Sequence, residues 1–106
     1  MGIELLYFRG CPHGDATRAR LEEVLREEGL PHAIHSIDVQ GDDEAARHQF
    51  IGSPSVRING VDVDPAARTR SEWALGCRLY GGSGVPPKHL LRAAVREAGR
   101  SERADR

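Results

Sequence analysis

Asn59-Gly60, set between Val56-Arg57-Ile58 and Val61-Asp62-Val63, constrains the fold of this chain more than any other short stretch. Both residues accept the positive φ angles that a two-residue turn needs if its twist is to match that of the flanking strands. An Asn-Gly between alternating apolar segments therefore predicts an antiparallel hairpin. Upstream, Ile3-Glu4-Leu5-Leu6-Tyr7-Phe8 is a short apolar run rich in β-favouring residues and followed by Gly10, Pro12 and Gly14, which predicts a buried strand. From Asp15 to Glu28, Ala16, Thr17, Leu21, Val24 and Leu25 recur at helical spacing among charged residues, and Gly29 and Pro31 supply the stop. Ala33, Ile34, Ile37 and Val39 suggest a second strand over 32–39. Asp42 or Asp43 offers an N-cap for a short helix, Glu44 to Phe50, ended by Gly52. Val85-Pro86-Pro87 introduces a last helix with Leu90, Leu91, Ala94, Val95 and Ala98 as its apolar stripe.

The resulting order is β-α-β-α-β-β-α, an α/β class, with an insertion over 64–84 before the last helix. No repeat or second core is visible. One domain over 1–99 with a charged, frayed tail over 100–106 accounts for the 106 residues. A net charge of -1 gives no reason to expect nucleic acid or an anionic membrane as partner. No stretch approaches the apolar length of a membrane span. The first residues lead straight into the strand without a basic, cleavable leader, so a cytoplasmic setting with reduced thiols is expected. Lys88 is the sole lysine among 15 basic residues, an arginine bias suggestive of GC-rich bacterial coding.

The residue with the clearest chemical promise is Cys11, placed between the first strand and the first helix. A thiol there meets unpaired N–H groups and the positive end of the helix dipole, and both favour thiolate. Cysteines so placed fall from about 8.5 to roughly 3.5–7.5 in pKa. Pro12 suits the first helical position, where its missing N–H costs nothing, and His13 can add a positive charge or a hydrogen bond.

Cys11-Pro12-His13-Gly14 after the first strand and Gly52-Ser53-Pro54-Ser55-Val56 entering the third stand in an element order that resembles the thioredoxin-like superfamily, its small thioredoxin/glutaredoxin-like domains in particular. The resemblance covers about 3–63 and 86–98. It implies a cis peptide at Ser53-Pro54, Ser53 beside the Cys11 sulfur, and backbone groups free there for an extended substrate. Pro12, His13, Ser53 and Pro54 would then be substrate-binding. Gly14 departs from the family's dithiol pattern, since the usual second cysteine is missing. The implied activity is that of a thiol-disulfide oxidoreductase acting on a protein or small-molecule thiol or disulfide, with no cofactor.

In such a fold the fourth strand finishes near Cys11, so the insertion emerges on that side and Cys77 becomes a candidate resolving cysteine. Around it, Glu72-Trp73-Ala74-Leu75-Gly76-Cys77-Arg78-Leu79-Tyr80 holds the sole tryptophan. Its aromatics either floor a substrate groove or pack the insertion onto the sheet with Leu75 and Leu79, burying Cys77. Gly81-Gly82-Ser83-Gly84 can flex but lacks the lysine and spacing of a phosphate loop.

Two other functions compete. Cys11 and Cys77 with Asp15 as acid form the minimal set for organomercurial cleavage, and Cys77-Arg78-Leu79-Tyr80 faintly resembles short bacterial proteins that look like organomercurial lyases. The chain lacks that family's helical N-terminal part, and Asp15 sits one position further from the cysteine. A redox-inactive peptide-binding module is the third reading. Cys11, His13 and Cys77 lack the close spacing of a metal site, so none is expected. His32 and His35 fall on opposite faces of a strand, and His48 and His89 fall on helix surfaces. Glu22-Glu23 and Glu27-Glu28 read as a solvated helix face balanced by Arg18, Arg20 and Arg26.

Overall fold

The computed structural model describes residues 1–73 and 75–104. Ile3–Tyr7 (β1) lies inside a four-stranded sheet with Ile34–Asp38 (β2) on one side and Ser55–Ile58 (β3) on the other. Val61–Asp62 (β4) is the edge strand beyond β3. β1 and β2 are parallel, whereas β3 runs antiparallel to both β1 and β4. The expected hairpin is present: Asn59 and Gly60 take φ of 54° and 80°, the signs a type I′ turn requires.

Helices cover both faces because consecutive β1 side chains point opposite ways. Ile3 and Leu5 join Val56 and Ile58 beneath Gly14–Glu27 (α1) and Lys88–Ala104 (α3), which supply Leu21, Val24, Leu25, Leu91 and Val95. Leu6 points the other way, to Val39, Phe50 and Ala45 of Asp42–Arg47 (α2). Full burial of side chains this size contributes about 1.5–3 kcal/mol each, so these two clusters hold the three layers together.

Local chemistry moves several boundaries. In α1 the expected Thr17, Leu21, Val24 and Leu25 are buried, while Ala16 is exposed at the edge of that face. Gly29, at φ 70°, closes α1: its N–H reaches Arg26 O at 3.1 Å and that of Leu30 reaches Leu25 O at 2.8 Å. α2 begins two residues before Glu44, with Gly41 rather than Asp42 or Asp43 at its N-cap. The three acids fill its first turn, where the helix dipole favours them. It stops at Arg47 because Gln49 turns left-handed at φ 53°, which swings Phe50 off the helix and into the core. Arg57 secures that turn by donating to the carbonyls of His48 and Gln49 at 2.6 and 2.7 Å. α3 continues through 100–104, the stretch expected to be a frayed tail; Asp105 and Arg106 of that tail lie outside the described residues, as does Ala74 of the insertion.

The glutamates of α1 are not a merely solvated face. Lys88 donates to Glu23 and Glu27 at 2.8 and 2.9 Å, and Arg96 holds Glu28 in two bonds of 2.9 and 3.2 Å. Partners on α3, rather than on α1 itself, thus balance most of this charge, although Arg18 and Glu22 do approach to 3.8 Å within the helix.

Candidate functional site

Leu6 of β1 stands opposite Ser55 of β3, so the end of β1 that leads to Cys11 is also the end at which Pro54 enters β3. Asp62 pairs with Arg57 as β4 returns toward that same end. The two signatures and the start of the insertion are therefore gathered at one edge of the sheet.

Cys11 closes a turn after β1, its N–H reaching Phe8 O at 3.1 Å over a left-handed Gly10 at φ 94°. Pro12 does not hold the first helical position expected of it, which falls to Gly14. His13 is the N-cap, its carbonyl taking the first helical bond from Thr17 N at 3.0 Å, and Pro12 sits one residue before it. Because a residue preceding proline is pushed toward extended backbone, Cys11 is kept out of the helix, two positions ahead of the cap. Its thiol is half-buried and unbonded.

Cys11 lines a cleft of about 440 Å³ between β1, β2 and α1, together with Arg9, Asp15, Arg18, Ser36 and Asp38. Arg18 donates to Ser36 Oγ at 3.2 Å, and Arg9, whose side chain is 88% exposed, stands 3.7 Å from Asp38. The cleft thus presents two cations and two carboxylates around the thiol. A smaller groove of about 290 Å³ shares Phe8, Arg9 and Asp38 with it and has Leu75 of the insertion on its other side.

The insertion binds the sheet in an unforeseen way. Ser53 N donates to Gly76 O at 2.7 Å and Arg78 N donates to Ser53 O at 2.9 Å, so Cys77 bridges Ser53 in the parallel sense. The backbone groups expected to be open to a substrate are already paired within the chain. Ser53 and Pro54 are both buried, the peptide between them is cis, and Ser53 Oγ is buried without a partner. His13 packs against Gly84, where an added Cβ would collide with the imidazole, and it makes no side-chain capping bond. Pro12 is exposed.

Arg78, given no role of its own by the sequence, anchors the segment. Its guanidinium is 3% exposed, grips Asp62 through bonds of 2.7 and 3.2 Å and donates to Ser55 Oγ at 3.1 Å. It also lies 4.6 Å from the Tyr80 ring centroid. Gly52, at φ 137°, lets the arginine pass, because a Cβ there would stand 2.7 Å from Arg78 Cγ. Tyr80 donates its hydroxyl to Pro54 O at 2.6 Å, and burial pushes its phenol pKa far upward.

The apolar account of the insertion is corrected by this arrangement. Trp73, Leu75 and Leu79 are exposed, Leu79 by 74%, and Cys77 is exposed rather than buried among them. Only Tyr80 of the four packs inward. Both cysteines are free thiols. Asp15 shares the Cys11 cleft, whereas Cys77 is not among its lining residues, so that cleft does not assemble the cysteine pair and acid. Among the described residues no group of three histidines, cysteines or carboxylates is placed to hold a metal ion. His35 is exposed on β2, His32 lies before it, His48 caps the end of α2, and His89 is exposed on α3.

Among the described residues no helix is long and apolar enough to cross a membrane. A scan against protein-family models finds no match to the chain, and searches of curated proteins and of solved structures find none either.

Proposed function

We propose that the protein is a thioredoxin-like thiol-disulfide oxidoreductase of a reducing, cytoplasmic compartment, with Cys11 as its nucleophile. One observation carries the reading: a free thiol lines a charged cleft just ahead of α1, and a second free, exposed thiol sits at the same end of the sheet. In the reaction the Cys11 thiolate attacks one sulfur of a disulfide. A Cys11–substrate mixed disulfide forms, and the other half leaves as a thiolate that takes a proton from water. Cys77 then attacks the Cys11 sulfur to release the second half as thiol, or a small thiol does so in its place. Asp15 and the arginines of the cleft orient the polar parts of the substrate.

The support is geometric. Leu75, two residues before Cys77, borders a groove that also contains Phe8 and Arg9 of the Cys11 turn. Peptide mapping after mild oxidation tests the scheme. An intramolecular Cys11–Cys77 bridge is expected. Cys11 recovered as a mixed disulfide with Cys77 free would restrict the scheme to monothiol exchange. Full disulfide-exchange activity in Cys11→Ser would overturn it.

A further inference from the structure

Resting on the oxidoreductase reading, we propose that the substrate at Cys11 is a low-molecular-weight disulfide bearing both carboxylate and ammonium groups, such as an amino-acid disulfide, and not an extended polypeptide. Two independent features lead there. The first is that the edge a polypeptide would use is taken. Extended peptides bind exposed edges by backbone hydrogen bonds, and both backbone groups of Ser53 are bonded to Gly76 and Arg78 of the chain itself. A peptide would have to displace that segment, which the buried Arg78–Asp62 pair and the Tyr80–Pro54 bond hold down.

The second feature is the open cleft. It is about 440 Å³, within the usual range of small-molecule pockets, and it has Cys11 in its wall. Its charges are of both signs and incompletely used. Arg9 is 88% exposed with only a 3.7 Å approach to Asp38, and Asp15 is exposed in the first turn of α1. Arg18 has one hydrogen bond, to Ser36, and a 3.8 Å approach to Glu22. Two cations suit substrate carboxylates, and two carboxylates suit ammonium groups.

Electrons and atoms balance with a thiol as the stated reductant. The disulfide R–S–S–R loses one RS⁻ to water as RSH while Cys11–S–S–R forms. A small thiol R′SH then attacks the Cys11 sulfur, releasing the other RSH and leaving Cys11–S–S–R′, and a second R′SH attacks the R′ sulfur, freeing the Cys11 thiol and departing as R′–S–S–R′.

The test is the rate of Cys11 mixed-disulfide formation in Cys77→Ser protein, followed by mass spectrometry. The probes are cystine, cystamine, dithiodipropionate and an unfolded, disulfide-linked peptide. Cystine is expected to react fastest, with the peptide about tenfold slower or more. Replacing Arg9 and Arg18 together with Gln should slow cystine and dithiodipropionate by about tenfold, the size of one lost charge-assisted bond, and leave cystamine unchanged. The paired change Arg78→Met with Asp62→Leu removes both buried charges without stranding either. It should raise the peptide rate and spare the cystine rate. A wild-type peptide rate equal to or above that for cystine would overturn the substrate assignment while leaving the oxidoreductase reading intact. Failure of every probe to form a mixed disulfide at Cys11 would sink both.

Discussion

The sheet with its helices and the insertion over 64–84 are held by different physics. In the first, Leu21, Leu25, Leu6, Val56 and Leu91 are all fully buried, and stability comes from apolar area removed from water. In the second, Trp73, Leu75 and Leu79 face solvent, and residues 76–80 are tied down by a buried ion pair, two backbone bonds to Ser53 and the Tyr80 hydroxyl, with Arg68 donating to Asp62 O further upstream. Apolar packing is many-sided and spreads its effect over many contacts. A polar tether concentrates its effect in a few atoms, which makes it specific in geometry and severe to break on one side. The polar tether leaves the insertion paired to Ser53 in a single register with Cys77 at the surface.

The sharpest way to break the comparison is Arg78→Ala. It leaves Asp62 buried and unpaired beside β3, so the loss should be about 3–5 kcal/mol in urea denaturation, large for a residue outside the core. Amide exchange should show the protection of Arg78 and Ser53 lost before that of β1. If β1 opens together with them, the insertion is an integral part of the core and the contrast fails. Leu25→Ala probes the other side. A fully buried leucine truncated in α1 should cost about 2–5 kcal/mol, at the upper end where the site does not relax, and should lower protection across the whole sheet.

The smallest effect belongs to the α1–α3 surface. Hydrogen bonds from Lys88 and then Arg92 hold Glu27 below its usual 4.5, and the bond from Arg96 does the same for Glu28. A carboxyl with a depressed folded-state pKa contributes above the unfolded value, and that contribution is lost as pH falls through the folded one. The urea midpoint should therefore decline modestly as pH drops below 4.5, and replacing Glu27 and Glu28 with Gln should flatten that decline. Added salt should flatten it as well, since these groups are exposed. A decline of equal size in the double variant would assign the acid sensitivity elsewhere.

Local signals in the sequence carried the frame a long way. The Asn59-Gly60 turn, the apolar run at Ile3, the stop at Gly29 and the stripe from Leu90 to Ala98 are short-range patterns, and each element they name is present. Cys11 stood out for the same reason, as a cysteine and proline between a strand and an amphipathic helix. Boundaries shifted where one residue's backbone overruled the pattern, as when the left-handed Gln49 detached Phe50 from α2, or when Pro12 kept Cys11 clear of the α1 cap.

What the sequence determined by itself is the alternation of apolar faces, which follows from periods of two and 3.6 residues and needs no distant partner. The use made of Ser53 belonged to the tertiary structure alone. Gly76 lies 23 positions beyond it, and neither residue carries a side chain that announces a backbone bond. Arg78 shows the same limit. A lone arginine reads as surface until Asp62, Ser55 and Tyr80 are brought around it, because burial of a charge becomes tolerable only when its partners come too.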